Sequence, residues 1–133
     1  MGRNRFVQPR TVRLDLSDGD WIDVKQELNA GEYRAIMARQ MKSMIMGEKT
    51  ELDPAQVGLA KVVEYVVDWS FEDGGKKVPV SEAAIIALDA DSFNEIRDAV
   101  DKHEVAVEAA MEARKNGQAG EKASSLISPS VAG

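Results

Sequence analysis

A nearly continuous apolar segment at residues 57–67, VGLAKVVEYVV, constrains the fold more than any other feature of the chain. Its polar residues recur three and four positions apart, in one narrow stripe of a helix: Lys61, Glu64 and then Asp68. Asp53-Pro54 just upstream is typical of a helix start, with Asp as N-cap and Pro in the first turn. The many valines would also suit a strand, but the length and this start favour a helix over about 54–68. A helix that is apolar almost all round indicates the buried centre of a bundle.

A β-hairpin is expected over residues 11–25, before that helix. Apolar and polar residues alternate along 12–16, the period of a half-buried strand, and Asp18-Gly19 marks a turn. A connection of three or five residues would place Ile22 and Val24 on the apolar face of the first strand. A two-residue turn would place charged residues there, so we expect the longer connection.

Three further helices are indicated by capping patterns. Asn29 and Glu32 form a capping box for a helix over about 30–46. Ser81 precedes a short helix over about 82–88, and Asp91 precedes a long one over about 92–115. The predicted fold is therefore mainly α: a small helical bundle of about four helices with an N-terminal β-hairpin.

The two ends of the chain are expected to lie outside the globular domain, which we place at residues 11–116. Residues 1–10 contain three arginines and no acid, which indicates a flexible basic arm. Gly117 is expected to end the last helix. Residues 117–133 are small and polar, which predicts a disordered tail.

Composition excludes several classes of function. The chain has 133 residues, a formal net charge of −6 and no cysteine, so thiolate catalysis and thiolate metal sites are excluded. An acidic body argues against nucleic acid as the main partner. The sequence has no apolar signal core and no run of membrane-spanning length, so we expect a cytoplasmic protein without a membrane partner.

Catalytic, cofactor and metal sites are not expected. His103 is the only histidine and falls on the apolar face of the last helix, so it has no second histidine with which to share a metal. The Asp-Gly-Gly-Lys-Lys sequence at 73–77 lacks the phosphate-loop pattern, because no hydroxyl residue follows the lysine. We therefore predict that the chain is not an enzyme.

A methionine stripe on the helix at 30–46 is the one feature that favours binding. Methionine is flexible and polarisable, so it accommodates varied apolar partners. The alternative is that these methionines fill the core. The candidate partner-binding residues on this helix are Tyr33, Met37, Met41 and Met44, with Trp21 and Trp69 added at the edge of the surface.

Three segments together resemble the tail assembly chaperones of long-tailed bacteriophages: VRLDLSDGDWIDVKQELNAGEYR, VVEYVVDWSFEDGGKKVPVS and FNEIRDAVDKHE. The shared elements are a strand pair ending in Gly19-Asp20-Trp21, an apolar helix ending in Trp69, an acidic glycine turn before Val78-Pro79, and Ala99-Val100 with His103. The likeness spans roughly residues 12–110, and it corresponds to the short form of such chaperones.

The resemblance implies a function. Such chaperones bind the long, apolar, helical tape measure protein, keep it soluble and help to recruit tail tube subunits. They act in the host cytoplasm and are absent from the finished virion. The alternative is a small structural tail or head–tail component that stays in the virion. Self-association is left open, since the spacing on the last helix permits helix pairing.

Overall fold

The computed structural model describes residues 2–46 and 54–131, with side chains described for 2–41 and 57–116. The described part is mainly α with a small β part. The chain divides into two compact units, Met1–Asp101 and Lys102–Gly133. The elements are β1 (Thr11–Asp15), a 3-10 turn (Ser17–Gly19), β2 (Trp21–Lys25), α1 (Ala30–Met46), α2 (Pro54–Tyr65), β3 (Val66–Trp69), β4 (Glu72–Asp73), β5 (Lys76–Lys77), α3 (Glu82–Ile86) and α4 (Ala90–Val131).

The N-terminal hairpin has the register that the apolar alternation predicts. Leu14 lies opposite Ile22 and Val12 opposite Val24, so these four side chains share one face. The two strands are joined by the five residues 16–20, and the positive φ of 58° at Asp18 lies in this connection. Glu95 of α4 closes the turn: its carboxylate accepts from the Ser17 backbone N–H and hydroxyl, each at 2.9 Å.

A third strand, β3, was not predicted. The helix expected over 54–68 ends at Tyr65, and Val66–Trp69 pairs antiparallel with β2 in a sheet of order β1-β2-β3. The prediction of helix for these last residues is therefore wrong. The physical reason is tertiary: β-branched valines suit a pleated strand, and β2 offers them an unpaired edge. The register shifts between Asp23 and Val24, so a bulge interrupts this pairing.

The core of the first unit lies between the inner face of the sheet and the helices. Ile22 and Val24 of β2 are fully buried, as are Val62 and Tyr65 of α2. Ile85 of α3, with Ile96 and Val100 of α4, completes the same cluster. Complete burial of each Ile or Val side chain stabilises the fold by about 1.5–3 kcal/mol relative to its exposure. The sheet and the helices therefore build the core together.

A tight hairpin of β4 and β5 follows β3. Gly74 and Gly75 have positive φ angles of 60° and 80°, as the two central residues of a type I′ turn require. The Trp69 indole N–H donates to the Val78 carbonyl at 2.6 Å, which ties the chain leaving this hairpin to the core. The glycines therefore serve the turn.

The capping of the last two helices agrees with the sequence at Ser81 but not at Asp91. The Ser81 hydroxyl accepts from the Ala84 backbone N–H at 3.0 Å. The N-cap of α4 is Asp89 rather than the predicted Asp91: its carboxylate accepts from the Ser92 N–H at 2.8 Å and hydroxyl at 2.9 Å. Asp91 instead falls in the first turn, where an acid interacts favourably with the helix dipole.

The end of α4 also differs from the prediction. The helix extends to Val131, so the predicted stop at Gly117 and the disordered tail over 117–133 are wrong for its described part. One glycine costs a helix only about 1 kcal/mol relative to alanine, and the surrounding alanines, lysines and glutamates are strong helix formers. The predicted N-cap of the second helix, Asp53, lies within residues 47–53, which are outside the described residues.

Substitution of Gly58 by alanine should destabilise the first unit. A Cβ atom there would lie 2.8 Å from the Arg97 Cδ, where α2 approaches α4, so the Arg97 side chain must shift. Gly31→Ala is the matched control, because its Cβ would lie 3.4 Å from the Asn29 Oδ1, at ordinary contact. We expect Gly58→Ala to be less stable than Gly31→Ala by about 1–2 kcal/mol in urea unfolding. Equal stability of the two variants would contradict this packing.

Candidate functional site

The methionine helix α1 is anchored at its N-terminus by the predicted capping box. The Asn29 backbone N–H donates to the Glu32 carboxylate at 2.9 Å, and the Glu32 N–H donates to the Asn29 Oδ1 at 2.8 Å. Lys25 of β2 forms an ion pair with Glu32 and lies 4.0 Å from a carboxylate oxygen of Glu64. These contacts join the start of α1 to the sheet and to α2, and so set which side of the helix faces outward.

The Glu32 carboxyl is held in its charged form. Its partial burial raises the pKa, but the hydrogen bond from Asn29 and the ion pair with Lys25 together outweigh burial. The net result is a pKa below the ordinary glutamate value. The charge on Glu32 therefore contributes to folding at neutral pH.

The exposed side of α1 carries Met37 and Met41. Their side chains are 60% and 58% exposed, whereas Ile36 is only 6% exposed and belongs to the core. Successive residues are about 100° apart around a helix, so both methionines are turned away from the buried side. The alternative that these methionines fill the core is wrong for Met37 and Met41. Met44 keeps its place in the predicted stripe, but its side chain lies outside the described residues.

Tyr33 lies one turn before Met37 and marks the edge of this stripe. Its side chain is half-buried and packs against the core cluster. An aromatic ring held on one side by the core is a rigid neighbour for the two flexible methionines. Tyr33, Met37 and Met41 are hereafter called the α1 stripe.

The two tryptophans do not join the α1 stripe. Trp69 is 1% exposed, so its predicted place at the edge of a binding surface is wrong. Core packing explains this aromatic residue at the end of an apolar segment. The centroid of the Trp69 ring lies 5.0 Å from that of the Phe71 ring. Trp21 is half-buried on the outer face of the sheet, opposite the face of Ile22. The Arg13 guanidinium stacks over it at 3.6 Å.

Sequence reasoning missed the charged cluster on this outer face. Arg13 forms an ion pair with Asp23 at 2.9 Å, and Lys77 of β5 forms one with Asp68 of β3 at 3.0 Å. The pKa of Asp68 is lowered, first by its hydrogen bond from Lys77 and then by that from the Trp69 backbone N–H. The hairpin register places Arg13 opposite Asp23, so that pair was within reach of the sequence. The pair with Lys77 was not, because it depends on β3.

The described residues contain no group of three or more His, Asp or Glu side chains arranged to hold a metal ion. A cleft of about 290 Å³ lies beside the end of the arm, and its lining includes Val7, Pro9 and Val67 as well as the paired side chains of Lys25 and Glu32. The residues that line this cleft include no serine, cysteine or histidine.

Comparison with known proteins leaves the family unassigned. No protein-family model, curated protein or solved structure matches the chain. Within residues 2–46 and 54–131, the structure has no helix both apolar and long enough to cross a membrane. A functional proposal therefore depends on the α1 stripe and on the resemblance of the three segments.

Glu32→Gln should lower the free energy of unfolding at neutral pH. The loss is expected to be at most about 1 kcal/mol, because the ion pair with Lys25 is partly exposed to solvent. The folded pKa of Glu32 is lowered, so the loss is full above the unfolded value near 4.5 and fades as pH falls through the folded value. Urea unfolding from about pH 3 to about pH 7 measures this.

The matched control for charge removal is Glu72→Gln on the exposed strand β4. Because its side chain is exposed, it should lower the free energy of unfolding at about pH 7 by less than Glu32→Gln does. A Glu32→Gln deficit of the same size at both ends of the pH range would contradict the role assigned to the Glu32 charge.

Proposed function

We propose that this chain is a phage tail assembly chaperone that binds an apolar helical segment of a tape measure protein. It keeps that protein soluble and helps to recruit tail tube subunits in the host cytoplasm. The proposal is for a binding protein rather than an enzyme. In it, a small bundle of about four helices with its hairpin forms the soluble body, and α1 presents the binding surface.

The observation that carries the proposal is the exposure of Met37 and Met41. The two residues lie one helical turn apart, the spacing at which an apolar helix presents its own anchors. A folded protein keeps most large apolar side chains out of water, and more than half of each methionine remains exposed. Methionine side chains adapt to many apolar surfaces, which suits a partner with a long and varied helical sequence.

The acidic surface supports the same proposal. The chain carries 23 acidic and 17 basic residues, a net charge of −6. Like charge on every copy opposes aggregation while an apolar surface stays exposed. A chaperone for an apolar protein needs this combination, because it must remain soluble before and after its partner binds.

Co-expression tests the proposal directly. The tape measure protein encoded by the same phage should be recovered in the soluble fraction with this chain and in inclusion bodies without it. Mass spectrometry of purified virions should find this chain absent at stoichiometric level. Equal solubility of the tape measure protein with and without the chain would overturn the proposal, and stoichiometric presence in virions would instead favour the structural role.

Met37→Asp should weaken that capture without unfolding the chain. The residue is exposed, so the new carboxylate is solvated in the free protein but is buried against an apolar helix in the complex. Ala35→Asp is the matched control, because it adds the same charge at an exposed position about 160° around α1. We expect at least about a tenfold loss of affinity for Met37→Asp and little change for the control, measured by pull-down and titration.

Circular dichroism separates a binding defect from a folding defect. Met37→Asp should keep the wild-type helical signal and melting temperature. If it unfolds the chain, Met37 is part of the core and the α1 stripe is not a binding surface. If it binds as well as Ala35→Asp, another surface makes the contact.

A further inference from the structure

The first strand leaves one edge of the sheet unpaired. β1 lies at the end of the order β1-β2-β3, and no strand of the described residues pairs with its outer side. Its five residues pair with β2 without a break in register. Such an edge presents a row of backbone donors and acceptors to another chain.

The hydrogen-bond pattern identifies which residues face outward. Gln26 donates to the Arg10 carbonyl and Leu16 donates to the Asp20 carbonyl, each at 2.8 Å. Bonded pairs alternate along an antiparallel ladder, so even-numbered residues of β1 bond to β2. The backbone groups of Thr11, Arg13 and Asp15 therefore point away from the sheet.

The opposite edge, on β3, is protected against pairing. A bulge interrupts the strand. The Trp69 backbone N–H, which points outward, donates to the Asp68 carboxylate at 2.9 Å. Bulges and charged side chains are the usual means by which natural sheets block an edge. β1 has neither a bulge nor a proline, and its two charged side chains, Arg13 and Asp15, are of opposite sign and so can pair with those of a second copy.

We propose that β1 pairs antiparallel with β1 of a second copy of this chain, about a two-fold axis at Leu14. This proposal goes beyond the chaperone function and involves a surface distinct from the α1 stripe. The two sheets would then continue into one sheet of six strands. With the axis at Leu14, Arg13 of one copy lies opposite Asp15 of the other. The backbone groups of both residues point outward, so the two residues form backbone hydrogen bonds with each other.

Charge complementarity selects this register. Each Arg13 lies opposite an Asp15 of the second copy, and this ion pair occurs twice. An axis at Arg13 would oppose two arginines, and an axis at Asp15 would oppose two aspartates, both unfavourable.

The Arg13 side chain keeps a donor group for such a partner. It is 55% exposed, and its bonds to Asp23 use Nε and Nη2. A guanidinium has five N–H donors, so Nη1 remains for a second carboxylate. The stack over Trp21 and the bonds to Asp23 place the guanidinium over β2 in the free chain, so the pair with Asp15 of the second copy requires the Arg13 side chain to turn towards the edge.

The apolar face of β1 supports the same pairing. Val12, Leu14 and Leu16 pack against the core but are only half-buried. Pairing about Leu14 places the two Leu14 side chains together and sets each Val12 beside a Leu16 of the second copy. The remaining exposed apolar surface of this strand is thereby removed from water.

Sedimentation equilibrium of the full chain tests the proposal. The apparent mass should rise with concentration from 14.5 kDa towards twice that value. Asp15→Lys puts a lysine opposite Arg13 and should weaken association by at least about tenfold. Glu108→Lys makes the same change of charge on a helix, α4, rather than on β1 and should associate like the wild type. Circular dichroism should show that both variants are folded.

Cysteine cross-linking tests the register, because the chain has no cysteine of its own. At the two-fold axis the two Leu14 Cα atoms would lie about 4.5 Å apart, within the range of a disulfide. Leu14→Cys should therefore form a covalent dimer on mild oxidation. Thr11→Cys, which lies opposite Ser17 in this register, should not.

Three results would overturn the proposal. The first is a mass that stays at 14.5 kDa at all concentrations. The second is association of Asp15→Lys as strong as that of the wild type, which would place the interface elsewhere. The third is equal cross-linking of Leu14→Cys and Thr11→Cys, which indicates random collision.

Discussion

Burial of Trp69 at the end of β3 holds the parts of the first unit together. Its ring is 1% exposed in the same cluster as Ile22 and Tyr65, so it joins the sheet to α2. Its indole N–H donates to the Val78 carbonyl, so the desolvated polar atom is satisfied and the chain beyond β5 is fixed. Trp69 therefore anchors the end of β3 to the core, while pairing with β2 makes residues 66–69 a strand.

The two faces of the sheet consequently differ in character. The inner face supplies apolar side chains to the core, and the outer face carries ion pairs around Trp21. The ion pairs of Arg13 with Asp23 and Lys77 with Asp68 are partly exposed, and such pairs contribute little to stability. The surfaces that could serve a partner are therefore those that the core does not use: the α1 stripe and the open edge of β1.

Local patterns predicted a substantial part of this arrangement. The hairpin register followed from side-chain alternation, because a shift of one residue would have buried Asp23 and Lys25. The capping box of α1 followed from Asn29 and Glu32, whose hydrogen bonds span only three residues. For the methionine stripe the sequence left two alternatives, a binding surface or core filling, because core residues share the same periodicity. Exposure of Met37 and Met41 required the packing of the neighbouring helices to be known.

By itself, the sequence determined the features that depend on neighbours within about one helical turn or across one tight connection. These are the caps at Asn29 and Ser81 and the apolar face of the hairpin. Tertiary structure alone decided that residues 66–69 form a strand, because their valines suit helix or strand until the edge of β2 is present. It also decided that Trp69 is buried while Trp21 is stacked on Arg13. Both are aromatic residues beside apolar runs, and only long-range packing distinguishes them.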